Sequence, residues 1–147
     1  MCGVRRTFTL YARGTLAEVM EEKDEEECLR LYEEVTALMT EHVGKQDRRT
    51  LTVKMSLAYM VGDVFEQLDR AKLLKQEVVD GYEAVLGWNH PETLTARNNL
   101  AATIEKLGED HQLARQMFEA VYETQRVQLG AMHSETLQTK YNIANIR

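Results

Sequence analysis

The dipeptide Thr-Leu stands at residues 9–10, 50–51, 93–94 and 136–137, in steps of 41, 43 and 43 residues. Such a period constrains the fold more than any composition does, because the same local structure must be built several times and stacked. Six positions after each leucine of the pair comes an aliphatic residue followed by alanine: Leu16-Ala17, Leu57-Ala58, Leu100-Ala101 and Ile143-Ala144. Three residues beyond each alanine stand Met20, Val61, Ile104 and Arg147, so only the last copy departs from the pattern.

Within one copy, Leu94, Arg97, Leu100, Ala101 and Ile104 fall at intervals that place them on one stripe of a helix. The small alanine lets a neighbouring helix approach. This element is helix A of each unit. Counting back from Gly44, Gly87 and Gly130, a second stripe recurs. It reads Cys28, Ala71 and Ala114 at a small slot, then Leu31, Leu74 and Met117, then Val35, Val78 and Val121, and near the end Val43, Leu86 and Leu129. Glycine is the usual residue just past a helix end, so this is helix B. One proline and eight glycines leave few turns for an all-β chain, and Ala, Glu, Leu, Lys, Gln, Arg and Met are strong helix formers.

The nearly repeated strings LGWNHPETL (86–94) and LGAMHSETL (129–137) then read as junctions between helix B and the next helix A. Pro91 suits a first helical turn, where its missing N–H costs nothing. Asn89 or His90 caps the helix from just before it, and Ser134 and Asp47 are suited to the same task in the other copies. Glu92 and Glu135 lie in the first turn, where negative charge complements the helix dipole.

The stretch 86–108 resembles the tetratricopeptide repeat of the kinesin-light-chain type. It carries Leu86-Gly87, His90-Pro91-Glu92-Thr93-Leu94, Asn99-Leu100-Ala101 and Gly108. Residues 129–146 are similar with Ser134 in place of the proline, 44–87 match in skeleton through Thr50-Leu51, Leu57-Ala58, Ala71 and Gly87, and 9–44 match more weakly. The resemblance implies an all-α, right-handed α-solenoid of stacked antiparallel helix pairs. It spans 1–147 as one tetratricopeptide-like domain of about three and a half repeats, with units near 6–44, 45–87, 88–130 and an incomplete 131–147. It also implies a concave groove, lined by A helices, that binds a peptide or partner protein.

Other chemistries find little support. The formal net charge of −6 disfavours a general nucleic-acid binder, and no apolar run approaches the roughly 18–20 residues of a membrane span. The start, MCGVRRTFTLYARG, lacks the apolar core of a signal peptide. Two cysteines, Cys2 and Cys28, form no framework and suggest a reducing compartment, so a cytoplasmic location is expected. His90 and His133 sit at equivalent places in successive units without Cys or Asp partners at ligand spacing, so they read as junction residues and no metal is expected. His42 and His111 are isolated. Cys28 fills a slot held elsewhere by Ala71 and Ala114, as a small apolar side chain would. The only serines, Ser56 and Ser134, lie in no nucleophile motif, and no phosphate-binding loop is present. No cofactor and no enzymatic activity are expected. The acidic run 18–27, with seven carboxylates and one lysine, reads as a solvated helix end or as a docking patch for a basic segment.

The resemblance places partner contact on the side of helix A away from the packing stripe. These positions are Thr52, Met55, Ser56, Tyr59 and Asp63 in the second unit, Thr95, Asn98, Asn99, Ala102 and Lys106 in the third, and Gln138, Tyr141, Asn142 and Asn145 in the fourth. Asn99 and Asn142 match the family motif directly. An amide carries both donors and an acceptor, so it can pair with an extended backbone whatever its side chains are. The fourth unit has a helix A without a helix B, so Leu137, Ile143 and Ile146 are expected to meet further chain, a partner or a second copy through residues 134–147.

Overall fold

The computed structural model describes residues 25–146, and among these every regular element is helical. Helices α1 (Glu25–His42), α2 (Arg48–Tyr59), α3 (Leu68–Leu86), α4 (Pro91–Leu107), α5 (His111–Gln128) and α6 (Ser134–Ala144) follow one another, each packed on the next in sequence. In the terms of the repeat, α1, α3 and α5 are B helices and α2, α4 and α6 are A helices. The helix A expected of the first unit, with Leu10, Leu16 and Met20, falls outside the described residues, as does most of the acidic run; Glu25, Glu26 and Glu27 open α1.

The repeated slots are where the core sits. Cys28, Ala71 and Ala114 are buried, as are Val35, Val78 and Val121. Each such valine contributes about 1.5–3 kcal/mol by leaving water. Leu51, Leu94, Leu57, Leu100, Ala58 and Ala101 are buried on the A helices. A single cluster runs from Leu51 through Val78, Val79, Leu100, Ile104 and Phe118 to Ile146, with smaller ones around Val35 and Leu57. Arg97 departs from its expected place in the stripe. It is half-buried, pairs with Glu83 of α3 and lies 5.1 Å from the centre of the Trp88 ring.

The junctions repeat in detail. After each B helix a glycine takes positive φ: Gly44 at 117°, Gly87 at 89° and Gly130 at 95°. Three residues later an N-cap follows: Asp47, His90 and His133. The imidazole Nδ1 of His90 accepts from Glu92 N–H, and that of His133 from Glu135 N–H, each at 3.2 Å. Ser134, expected as a cap, is instead the first residue of α6, because His133 already satisfies the free backbone donor. The threonine of each Thr-Leu pair among the described residues is fully buried: Thr50, Thr93 and Thr136.

The A-to-B turns differ. Helix α4 ends at Gly108 in the left-handed region, φ 70°. One repeat earlier the same slot holds Phe65 at φ −99°, and α2 continues into a π-helical turn, Met60–Val64, in which Phe65 N–H donates to Met60 C=O. The wider turn passes the left-handed conformation on to Glu66, at φ 55°.

The C-terminal apolar residues do not all face outward. Ile146 is 9% exposed and belongs to the main cluster, and Ile143 is half-buried against it. Ile146 occupies the slot of Met60 and Thr103, both buried, so the repeat places it inward. Leu137 remains exposed.

Candidate functional site

Helix α3 packs against both α2 and α4 and holds these two A helices beside one another. Three contacts tie the pair along its length. Arg48 forms a salt bridge with Glu92, Asn99 Nδ2 lies 3.9 Å from Met55 Sδ, and Lys106 Nζ donates to Asp63 at 2.6 Å. The partners in each are 43 or 44 residues apart, so the same turn of successive A helices is held in register.

Between them lies a cleft of about 410 Å³. Thr52, Met55 and Ser56 of α2 form one wall, and Pro91, Glu92, Thr95, Ala96 and Asn99 of α4 form the other. Tyr82 of α3 forms the floor, and Glu135 from the first turn of α6 closes one end. The Tyr82 hydroxyl is 3.1 Å from Thr52 Oγ1. Burial pushes the Tyr82 phenol above its ordinary range, with the Thr52 hydrogen bond opposing. The cleft falls in the size range of small-ligand and side-chain pockets, about 300–1,000 Å³.

Of the residues the sequence points to, Ser56, Thr95 and Asn99 line this cleft, together with Thr52 and Met55. The others lie outside its lining. Lys106 is engaged with Asp63, the Gln138 amide donates to Asn142 Oδ1 at 3.1 Å, and Asn145 Nδ2 donates to Tyr141 C=O at 2.7 Å. Tyr59 and Tyr141 are exposed. Asn98 is half-buried, and its Oδ1 has no hydrogen-bond partner among the described residues. Tyr82 escaped the sequence reading because it sits on a B helix, whereas the groove was assigned to A helices alone. Its signal was present, since a phenol interrupts a slot held by Met39 and Gln125.

A second polar feature lies in the same layer. Lys75 of α3 is 7% exposed, and its ammonium donates to Thr103 Oγ1 at 2.8 Å. Burial lowers its pKa, Asp63 opposes the shift and Lys106 adds to it. Its slot holds Tyr32 in α1 and Phe118 in α5. Among the described residues no group of three His, Cys, Asp or Glu side chains converges as a metal site, and no helix is long and apolar enough to cross a membrane.

No family model and no curated protein sequence matches this chain. Solved structures do. One is a Podosopora anserina chain named for kinesin light chain and nearly identical TPR-like repeats, with TM-score 0.80 and 21% identity over 99% of this chain and 67% of that one. A single-substitution variant of it gives TM-score 0.77 and 22% identity over 97% and 61%. BtubC (BKLC) from P. vanneervenii gives TM-score 0.65 and 17% identity over 97% and 65%. The chain therefore spans between 61% and 67% of the length of these structures. The likeness establishes the fold, a tetratricopeptide-like α-solenoid similar to that of these structures.

Proposed function

We propose that the chain is a non-enzymatic protein-interaction module, a scaffold or adaptor of the cytoplasm, that holds an extended segment of a partner protein along the face formed by α2, α4 and α6. The single observation that carries this reading is the cleft over Tyr82, walled by successive A helices kept in register. The Ser56, Asn99 and Asn142 positions recur one repeat apart on that face. They offer a hydroxyl and two amides to a peptide backbone, while the cleft receives a side chain, which is how extended ligands gain both affinity and selectivity.

The test is capture of partners from native lysate by the wild-type chain and by Asn99→Ala/Asn142→Ala, both checked for folding by far-ultraviolet circular dichroism. The double variant is expected to lose the captured proteins. An unchanged set of captured proteins would overturn the reading. The alternative is assembly through α6, favoured by exposed Leu137 and Tyr141 one helical turn apart. It predicts a solution mass that rises with concentration and falls back in Leu137→Glu. A constant monomer mass would remove it.

A further inference from the structure

The cleft differs from its counterpart one repeat later. The slots of Met55, Tyr82, Pro91 and Ala96 are filled at the next seam by Asn98, Gln125, Ser134 and Thr139. There the Gln125 and Thr139 side chains bond one another at 2.6 Å. Of the two seams between described A helices, the apolar lining is therefore that of the seam between α2 and α4, and a ligand passing on to the next seam meets polar groups at the same slots.

The charge at the apolar cleft is equally local. Its two ionisable carboxylates are Glu92 and Glu135. Glu92 is paired with Arg48. Glu135 occupies the same slot one repeat later, but the residue equivalent to Arg48 is Pro91, which carries no charge. The Glu135 carboxylate is thus left without an ion pair among the described residues, at the edge of an apolar cleft that no basic side chain lines.

We infer that the cleft is the anchor site for an extended segment bearing a bulky apolar side chain with an arginine or lysine beside it. This rests on the groove reading above and adds the chemistry of the occupant. The apolar chain displaces water from Met55, Tyr82, Pro91 and Ala96, and the neighbouring cation reaches Glu135. Most of the binding energy lies with the apolar anchor. The cation selects among ligands and speeds encounter, since a rim charge pair contributes mainly to discrimination and on-rate.

The experiment is an array of nine-residue Gly/Ser peptides in which two adjacent central positions run through all residue pairs, probed with the purified chain. The strongest signals are expected where Leu, Met, Phe or Tyr stands beside Arg or Lys. Replacing the cation by alanine is expected to weaken binding about two- to fivefold, as for an exposed ion pair, and by glutamate further. Glu135→Arg is expected to move the preference to acidic neighbours while keeping the apolar one. Thr95→Trp, at an exposed position of the cleft wall, fills the cleft and is expected to abolish all signals. Signals lost in Thr95→Trp but indifferent to the cation, or favouring acidic neighbours in the wild type, sink this inference and leave the groove reading standing. Signals that survive Thr95→Trp sink the groove reading itself, and an array with no signal counts against both.

Discussion

Along the seam between α2 and α4, the floor and walls carry Tyr82, Met55, Pro91 and Ala96. One repeat later, between α4 and α6, the same slots carry Gln125, Asn98, Ser134 and Thr139. The backbones correspond, with the same positive-φ glycine, the same histidine cap and the same buried threonine. What changes is how each seam is filled. Met39 and Val53 make the equivalent contact one repeat earlier within an apolar cluster, Tyr82 and Ala96 leave a cleft above them, and Gln125 and Thr139 close theirs with a hydrogen bond. A repeat protein can therefore hold its architecture constant and write a different surface chemistry at each junction, since each unit is stabilised chiefly by its immediate neighbours.

The hardest test of that correspondence exchanges the residues that differ most. Lys75 is tolerated inside because Thr103 accepts its hydrogen bond. At the Phe118 slot the residue equivalent to Thr103 is Ile146, so a lysine there would find no hydroxyl. Phe118→Lys is expected to cost at least about 3–5 kcal/mol, the loss seen when a buried Phe is deleted, with an unpaired buried charge added. Urea melts monitored by circular dichroism would show a chain largely unfolded at body temperature. A melt close to wild type would mean that the two slots are not equivalent environments.

A smaller effect comes from the spacing within the two helix pairs. A Cβ on Gly81 would lie 2.5 Å from Leu51 Cδ2, and one on Gly62 would lie 2.8 Å from Ala71 Cβ. The corresponding slots of the next pair hold Thr124 and Glu105. The α2–α3 pair is thus closed on glycine at both ends where the α4–α5 pair is not. Gly81→Thr, which installs the next unit's residue, is expected to cost about 1–3 kcal/mol by overpacking a buried leucine. Thr124→Gly is expected to cost only the helix-propensity difference, about 0.5 kcal/mol or less. Equal losses from the two would show that the pairs are packed alike.

These contrasts also mark what was legible in the sequence. Period-based reading places Val35, Val78 and Val121 in the core and the glycines after each B helix, because both follow from stacking identical backbones. The face of helix A came from the family resemblance and not from the period, and of the residues named on it Ser56, Thr95 and Asn99 line one cleft. Sequence-based reading mistook Ser134 for a cap because capping preferences favour serine over histidine, although the alignment of Asp47, His90 and His133 pointed elsewhere. It left Ile143 and Ile146 exposed by treating α6 as lacking cover, whereas α5 and the main cluster receive them. Tyr82, Lys75, Gly62 and Gly81 were beyond it, because each is a departure from the repeat and only coordinates show what a departure touches.

Lys75 supplies a test by pH. Its folded pKa is depressed below 10.5, chiefly by burial. Between that depressed value and 10.5 the unfolded chain holds more protons than the folded one, so stability rises with pH through this window. The benefit is complete above 10.5 and is lost as pH falls through the folded pKa. Tyr32 and Tyr82 act in the opposite sense. Burial raises both phenols above 10.0, so they stabilise the fold fully below that value and withdraw the contribution as pH rises through their folded pKa. Denaturant midpoints followed from neutral pH upward should therefore carry a climb from Lys75 below pH 10.5 and a fall from the two phenols above pH 10.0. In Lys75→Met, a near-isosteric change expected to alter neutral-pH stability by less than about 1.5 kcal/mol, the climb should vanish and the alkaline fall remain. A climb that persists in the variant would assign it to another group.

The smallest expected effect separates the two A-to-B turns. Gly108 takes its left-handed conformation without a steric penalty, whereas Glu66 takes it with a side chain attached. Left-handed backbone costs a non-glycine residue roughly 1–2 kcal/mol, and replacing Glu66 by glycine relieves that. The same change loosens the unfolded chain, which costs about 0.4–1 kcal/mol in the other direction. Glu66→Gly should consequently stabilise by a net of roughly 0–1.6 kcal/mol, visible as a small rise in thermal midpoint. Gly108→Glu should destabilise, because it imposes the strain and removes the preferred C-cap together. If Glu66→Gly instead destabilises, the π-helical turn depends on the glutamate side chain, and the difference between the two turns would be a matter of contacts and not of backbone conformation.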